Sequence, residues 1–286
     1  MEEKRLALEM SALLPKRKRD SHKGCYGKAA IVAGSKEYTG AAYLATAACL
    51  RTGVGYTTLF VPENILPYYI LKAPEALLKP FTFHRQTWEQ LLTYDSIAYG
   101  MGMGVSEDVA RCATWLIAHY EGKLILDADG LNSLATFCGG GLVEIFARKK
   151  CDVVITPHIK EFARLTGDDA TTFAKRHKIT VLLKSAVSLI ANEKETARNE
   201  TGNSGQAKAG TGDVLSGVIA GLCATGLSGF DGARLGAYLV GKTAEIAVKD
   251  VGEYSLVATD LIAYLGKAFL YLTGITENTD KKRDEE

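Results

Sequence analysis

Short, continuously apolar runs alternate with segments of helical apolar period almost from end to end of the chain. The runs predict strands at 28–33, 56–61, 96–100, 123–127, 152–156, 180–184 and 187–191. The intervening pattern predicts helices at 40–52, 107–120, 142–149, 159–166 and 171–177, and three long ones at 211–225, 230–249 and 258–272. Strands that alternate with helices imply an α/β fold, in which a parallel sheet carries helices on both faces. Runs such as IAYG (97–100), LILDA (124–128) and VVITP (153–157) lack the polar alternation of a half-exposed sheet. They are expected to be buried on both faces.

No internal repeat and no Ser/Pro-rich linker interrupts this pattern, so one domain is expected over 1–276. The stretch 277–286 is wholly polar and is expected to be a disordered tail. A short basic run, KRKRD at 16–20, reads as a solvated loop before the first strand. The whole chain carries 34 basic and 33 acidic residues for a net charge of +1, which gives no ground for a nucleic-acid or membrane-surface partner. No stretch approaches the ~20 apolar residues of a spanning helix. The N-terminus has no continuous apolar core of a signal peptide. The six cysteines form no CxxC pair and read as buried small hydrophobes in a reducing compartment, so the expected location is the cytoplasm.

The 29 glycines are informative by their placement. IVAGS (31–35) and AYGMGMG (98–104) follow predicted strands, and GNSGQAKAGTGD (202–213) runs into a long helix. Ligands of open α/β sheets bind at the carboxyl ends of strands, where glycine permits close backbone approach. GMGMG does not complete a dinucleotide-binding GxGxxG, and there is no GxxxxGK[ST] phosphate loop. In AGTGD, Gly210, Thr211 and Gly212 would place successive N–H groups at a helix start, a nest for an anion. Asp213, just inside that helix, is either a dipole-compensating residue or a general base beside a bound phosphate. These residues alone leave the two open.

The segment TGNSGQAKAGTGDVLSGVIAGL (201–222) resembles the signature of the ADP-dependent (S)-NAD(P)H-hydrate dehydratases. That ribokinase-like family also supplies the C-terminal domain of bifunctional NAD(P)H-hydrate repair enzymes. Four more segments agree in order: 23–62, LDADGLNSL (126–134), ITPHIKEFARL (155–165) and LLKSAVSLIA (182–191). Together they cover about residues 20–270. This chain departs from the family at Ser185 and Ala209, where glycine is usual, and at Glu200, where proline is common.

The resemblance implies a ribokinase-like three-layer α/β/α fold. It also implies dehydration of the S epimer of the hydrated cofactors NADHX and NADPHX to NAD(P)H, with ADP as co-substrate and AMP and phosphate released. It makes Asp213 the catalytic base, with Gly210, Thr211 and Gly212 as the phosphoryl cradle. It places Ala41, Gly102, His158 and Asp213 on the substrate, and Lys184, Ser185, Ala186, Val187, Ser188 and Gly212 on the nucleotide. Glu161 would hold Mg²⁺ through water, or only stabilise a helix start; Asp129 and Asn132 would touch ligand, or only form a turn and cap. A homotetramer is also implied, with the apolar helix around 235–248 as a candidate interface. The competing reading is a ribokinase-like kinase of a vitamin precursor or sugar, which would use the same AGTGD device. A nucleotide-binding regulator without turnover is a third.

Overall fold

Every residue of KAAIV after the first is buried, on both sides of the strand, so this run can only sit inside a sheet covered twice. The computed structural model describes residues 2–283 and bears this out. Its elements are, in chain order, α1 (Glu2–Ala12), β1 (Lys28–Val32), α2 (Thr39–Leu50), β2 (Tyr56–Val61), β3 (Leu77–Pro80), α3 (Arg85–Leu91), β4 (Ser96–Tyr99), α4 (Glu107–His119), β5 (Lys123–Leu126), α5 (Ala128–Cys138) and α6 (Leu142–Ala147). There follow β6 (Asp152–Ile155), α7 (Ile159–Leu165), α8 (Ala170–His177), β7 (Thr180–Leu183), β8 (Ser188–Ala191), β9 (Thr196–Asn199), α9 (Thr211–Ala224), α10 (Gly229–Val251) and α11 (Ala258–Arg283). The last helix thus enters the stretch expected as a polar tail, whose final residues, 284–286, lie outside the described residues.

The strands form one sheet in the order β3-β2-β1-β4-β5-β6-β7-β8-β9. Pairing is parallel from β3 through β7 and antiparallel for β7–β8 and β8–β9. Successive strand residues feed opposite cores. Ile31, Leu59, Ala98, Ile125 and Val154 pack with α1, α2, α9, α10 and α11. Val32, Phe60, Ile97, Leu126 and Val153 pack with helices α3 to α8. The result is the expected three-layer α/β/α architecture with a mostly parallel sheet.

The two strands that the hydrophobic pattern misses, β3 and β9, are the two sheet edges. LLKP and TARN are largely exposed and carry the proline and charges that an edge tolerates. The stretch 235–248 lies on α10, where Leu235 to Thr243 are buried within the chain's own fold. Its apolarity therefore closes the core and offers no intersubunit face. Among the described residues one stretch, Asp129–Ala147, is long and apolar enough by composition to cross a membrane. It is two helices, α5 and α6, broken at Gly139 with φ +44°. Leu131, Leu134, Leu142 and Phe146 bury its apolar side against the sheet.

Helix α9 approaches α2 very closely. A Cβ on Gly217 would lie 2.1 Å from the carbonyl oxygen of Ala45, and one on Gly221 would lie 2.0 Å from Thr52 Oγ1. This contact fixes the N-terminus of α9 over the sheet, where the site is built. Gly217→Val is expected to cost about 3 kcal/mol, because backbone cannot yield as a side chain can. A denaturant titration showing an unchanged midpoint would contradict this.

Candidate active site

The strand order reverses at β1, whose neighbours are β2 on one side and β4 on the other. The chain leaves β1 toward α2 on one face of the sheet and leaves β4 toward α4 on the other, which makes their carboxyl ends the crevice where an open α/β sheet binds ligand. Glycines line it for steric reasons. Gly102, at φ +63°, would place a Cβ 2.7 Å from Tyr38 Cβ and 2.9 Å from Ala41 Cβ. The structure thus brings together Ala41 and Gly102, which lie far apart in sequence. The Gly104 N–H donates to Asp129 Oδ2 at 2.9 Å, which ties the crevice to the start of α5. Asn132, one turn on, accepts from Arg164 Nη1 at 2.7 Å.

At the end of β5, Asp127 caps α5 and is almost fully buried, with 1% exposure. Its Oδ1 accepts from the Ala128 N–H at 2.9 Å and from Lys184 Nζ at 2.8 Å. Its Oδ2 accepts from Ser216 Oγ at 2.7 Å. Lys184 follows β7 and is held by a bridge to His158, with its N–H donating to the Pro157 carbonyl at 2.9 Å. Beyond it the chain turns tightly into β8. The Ser188 hydroxyl donates to the Ser185 carbonyl at 3.2 Å, and the Ser185 hydroxyl donates to the Val187 carbonyl. Ser185 thus uses its side chain to close the turn that glycine usually makes.

Helix α9 begins at Gly210, in the left-handed region at φ +93°. Even glycine fits closely: a Cβ would meet Leu44 Cδ1 at 2.6 Å and Ala258 Cβ at 2.9 Å. No side chain caps this helix start. Gly210, Thr211, Gly212 and Asp213 instead line a cavity of about 920 Å³ together with Asp127, His158, Lys184, Ser185, Ala186 and Ser188. A cavity of this size suits a nucleotide. An uncapped helix start facing it suits a phosphate. The carboxyl of Asp213 is pushed up to about 7, first by burial, then by the negative charges of Asp127 and Asp129; Lys184 opposes the rise.

Of the residues expected from sequence, all but six line this cavity. Asp129 and Asn132 sit at the start of α5, bound to the Gly104 N–H and to Arg164. Ala41 and Gly102 lie in the β1/β4 crevice. Val187 sits on the outside of the β7–β8 turn, 44% exposed. Glu161 is buried at 7% exposure and closes a capping box. Its Oε2 accepts from the His158 N–H at 2.9 Å, while His158 Nδ1 accepts from the N–H groups of Lys160 and Glu161. Sequence reasoning gave no role to the buried Asp127 and did not name Ser216. It also passed over the cavity-lining Asn199, Thr201, Asn203 and Lys208. Asn199 ends the edge strand β9 and residues 200–203 follow it, and that strand carries no hydrophobic signal.

The family model described as NAD(P)H-hydrate dehydratase matches residues 29–267. The chain belongs to this family. Among its relatives, the bifunctional NAD(P)H-hydrate repair enzyme of Thermofilum pendens is 36% identical, covering 94% of this chain and 55% of its own length. The ADP-dependent (S)-NAD(P)H-hydrate dehydratase of Neisseria meningitidis is 34% identical, covering 86% of both chains. The chain thus spans about half the length of the bifunctional relatives it matches. The ADP/ATP-dependent NAD(P)H-hydrate dehydratase of Bacillus subtilis, crystallised with ATP and Mg²⁺, superposes with a TM-score of 0.80. It is 29% identical, and the match covers 93% of this chain and 97% of that one. A ribokinase-like protein of Enterococcus faecalis shares the fold, with a TM-score of 0.81.

Proposed function

We propose that this hydrate dehydratase family member uses ADP to dehydrate the S epimers of NADHX and NADPHX, giving NAD(P)H, AMP and phosphate. The observation that carries this reading is the position of Asp213. A carboxyl lifted to about 7 stands at the mouth of an uncapped helix start, with Lys184 and the cradle Gly210–Gly212 around one cavity. Hydroxide is a poor leaving group, and phosphorylation makes it a good one. Asp213 takes the proton from the C6 hydroxyl as its oxygen attacks the β-phosphorus of ADP, and AMP departs. The amides of the cradle and Lys184 hold the charge that develops on the phosphoryl oxygens. The nicotinamide ring nitrogen then expels phosphate from C6, and loss of a proton from C5 restores the dihydropyridine.

The substrate lies at the β1/β4 crevice, where Gly102 packs closely against Ala41 and keeps side-chain bulk out of the loop, and His158 borders it from the nucleotide side. Lys184, Ser185, Ala186, Ser188 and Gly212 hold the nucleotide from the cavity wall, and Val187 stays outside it. Mg²⁺, which offsets phosphate charge when bound, fits a site of this kind because it needs few protein ligands and keeps several waters. No group of three or more His, Cys, Asp or Glu side chains stands ready as a cage among the described residues. The capping carboxylate of Glu161 would reach the ion only through water.

The competing small-molecule kinase would stop at a stable phosphate ester. Incubation of the protein with NADHX, ADP and Mg²⁺ separates the two readings by the return of the reduced nicotinamide absorbance. No return above the uncatalysed rate would overturn the proposal. Because the base must be deprotonated, kcat/KM should fall about tenfold per pH unit below ~7 and level off above it. A profile flat from pH 5 to 8 would exclude Asp213 as the titrating group. A homotetramer working in the cytoplasm completes the reading. Tyr68, Ile70, Leu71 and Leu77, exposed beside the β3 edge, offer an apolar face for assembly. Light scattering should give the mass of four chains, and a monomer at micromolar concentration would contradict it.

A further inference from the structure

Asp127 is the most deeply buried carboxylate around the cavity, and the chemistry proposed above gives it no task. It receives hydrogen bonds from three directions: Lys184 Nζ from the end of β7, Ser216 Oγ from α9, and the Ala128 N–H at its own helix start. The pair lies directly beneath the phosphoryl cradle. A Cβ on Gly212 would stand 3.3 Å from Lys184 Nζ and 3.7 Å from Asp127 Oδ2. Ser216 is one turn beyond Asp213 on the same helix, so its bond to Asp127 also sets the rotation of α9.

We infer that Asp127 is a positioning residue: its carboxylate clamps Lys184 and the Ser216 face of α9 together, and so fixes its own charge and that of Lys184 against the Asp213 carboxyl. This rests on Asp213 being the base. The charged groups facing Asp213 are Asp127 and Asp129 from the β5–α5 corner and Lys184 from the end of β7. Asp127 favours the protonated form of Asp213, and Lys184 favours the charged form. The clamp holds these opposing neighbours at fixed distances, which keeps the base poised near neutral pH. Ser216 adds aim without charge, since its hydroxyl can only orient Oδ2.

The test is an NMR titration of isotope-labelled aspartate carboxyls in the full chain, with Asp213 identified by the signal missing from Asp213→Asn. Wild type should titrate near 7 at this position. Asp127→Asn removes a negative neighbour while keeping a carbonyl acceptor for Lys184 and Ser216, so the midpoint should fall by about one unit or more. Lys184→Met removes the cation, so the midpoint should rise. Ser216→Ala keeps both charges; its midpoint should move less than that of Asp127→Asn, while kcat for NADHX dehydration falls roughly tenfold. An unmoved Asp213 midpoint in Asp127→Asn, or shifts of the same sign in the two charge variants, would overturn the inference. So would wild-type kcat in Ser216→Ala. A wild type that titrates as expected yet returns no NADH would instead count against the proposed reaction, because the titration reads the clamp without turnover.

Discussion

Asp213→Asn is expected to lower kcat for NADHX dehydration by about 10²–10⁴-fold, which is the range for a positioned general base. The side chain keeps its size and remains in the first turn of α9, so the cradle persists. ADP binding should be retained or slightly tightened, because the substitution removes a negative charge from beside the phosphates. The pH dependence of the residual rate should also lose its acid limb near 7, since the group that titrates there is gone. Steady-state kinetics with both substrates varied would show this as a fall in kcat with little change in the KM for ADP. A variant with a tenth or more of wild-type kcat would show that the amide cradle, without a base, carries the chemistry.

Lys184→Met should be damaging in two separable ways. The ammonium is a charged donor at the cavity wall, and losing the bond to phosphate proposed for it should weaken ADP by about 2 kcal/mol, some 30-fold in KM. Asp127, at 1% exposure, would also lose its ion-pair partner. Stranding a buried charge costs about 3 kcal/mol, so the thermal midpoint should drop even in the absence of ligand. Calorimetric binding of ADP and a melting curve of the free protein measure the two effects independently. An unchanged melting midpoint would mean that Asp127 is satisfied without Lys184.

The sequence carries the central strands clearly because β1, β2, β4, β5, β6 and β7 are buried on both faces, and a doubly buried strand must be continuously apolar. It is nearly silent on β3 and β9, because an edge strand meets solvent and its composition is then set by the need not to pair further. Helix α5 is hidden for another reason. DADGLN reads as a turn, whereas Asp127 is the cap and Gly130 sits inside the first turn because Gly100 packs against it. The proposed phosphoryl cradle is legible because an anion nest needs glycines at fixed local spacing. The clamp is not: Asp127, Lys184 and Ser216 come from three distant segments, and each has an ordinary local use as a cap, a strand-end lysine or a helix serine. Only the fold puts them within one hydrogen bond of each other.

The central claim is that phosphoryl transfer to the C6 hydroxyl precedes loss of that oxygen. NADHX carrying heavy oxygen in the C6 hydroxyl tests it most directly, with the released phosphate and the solvent water both analysed by mass after one turnover with ADP and Mg²⁺. If the carbon–oxygen bond breaks after phosphorylation, the label must leave with the phosphate, one heavy oxygen per NADH formed. Label found in water, with unlabelled phosphate released, would show that the hydroxyl departs without ever being phosphorylated and would contradict the account.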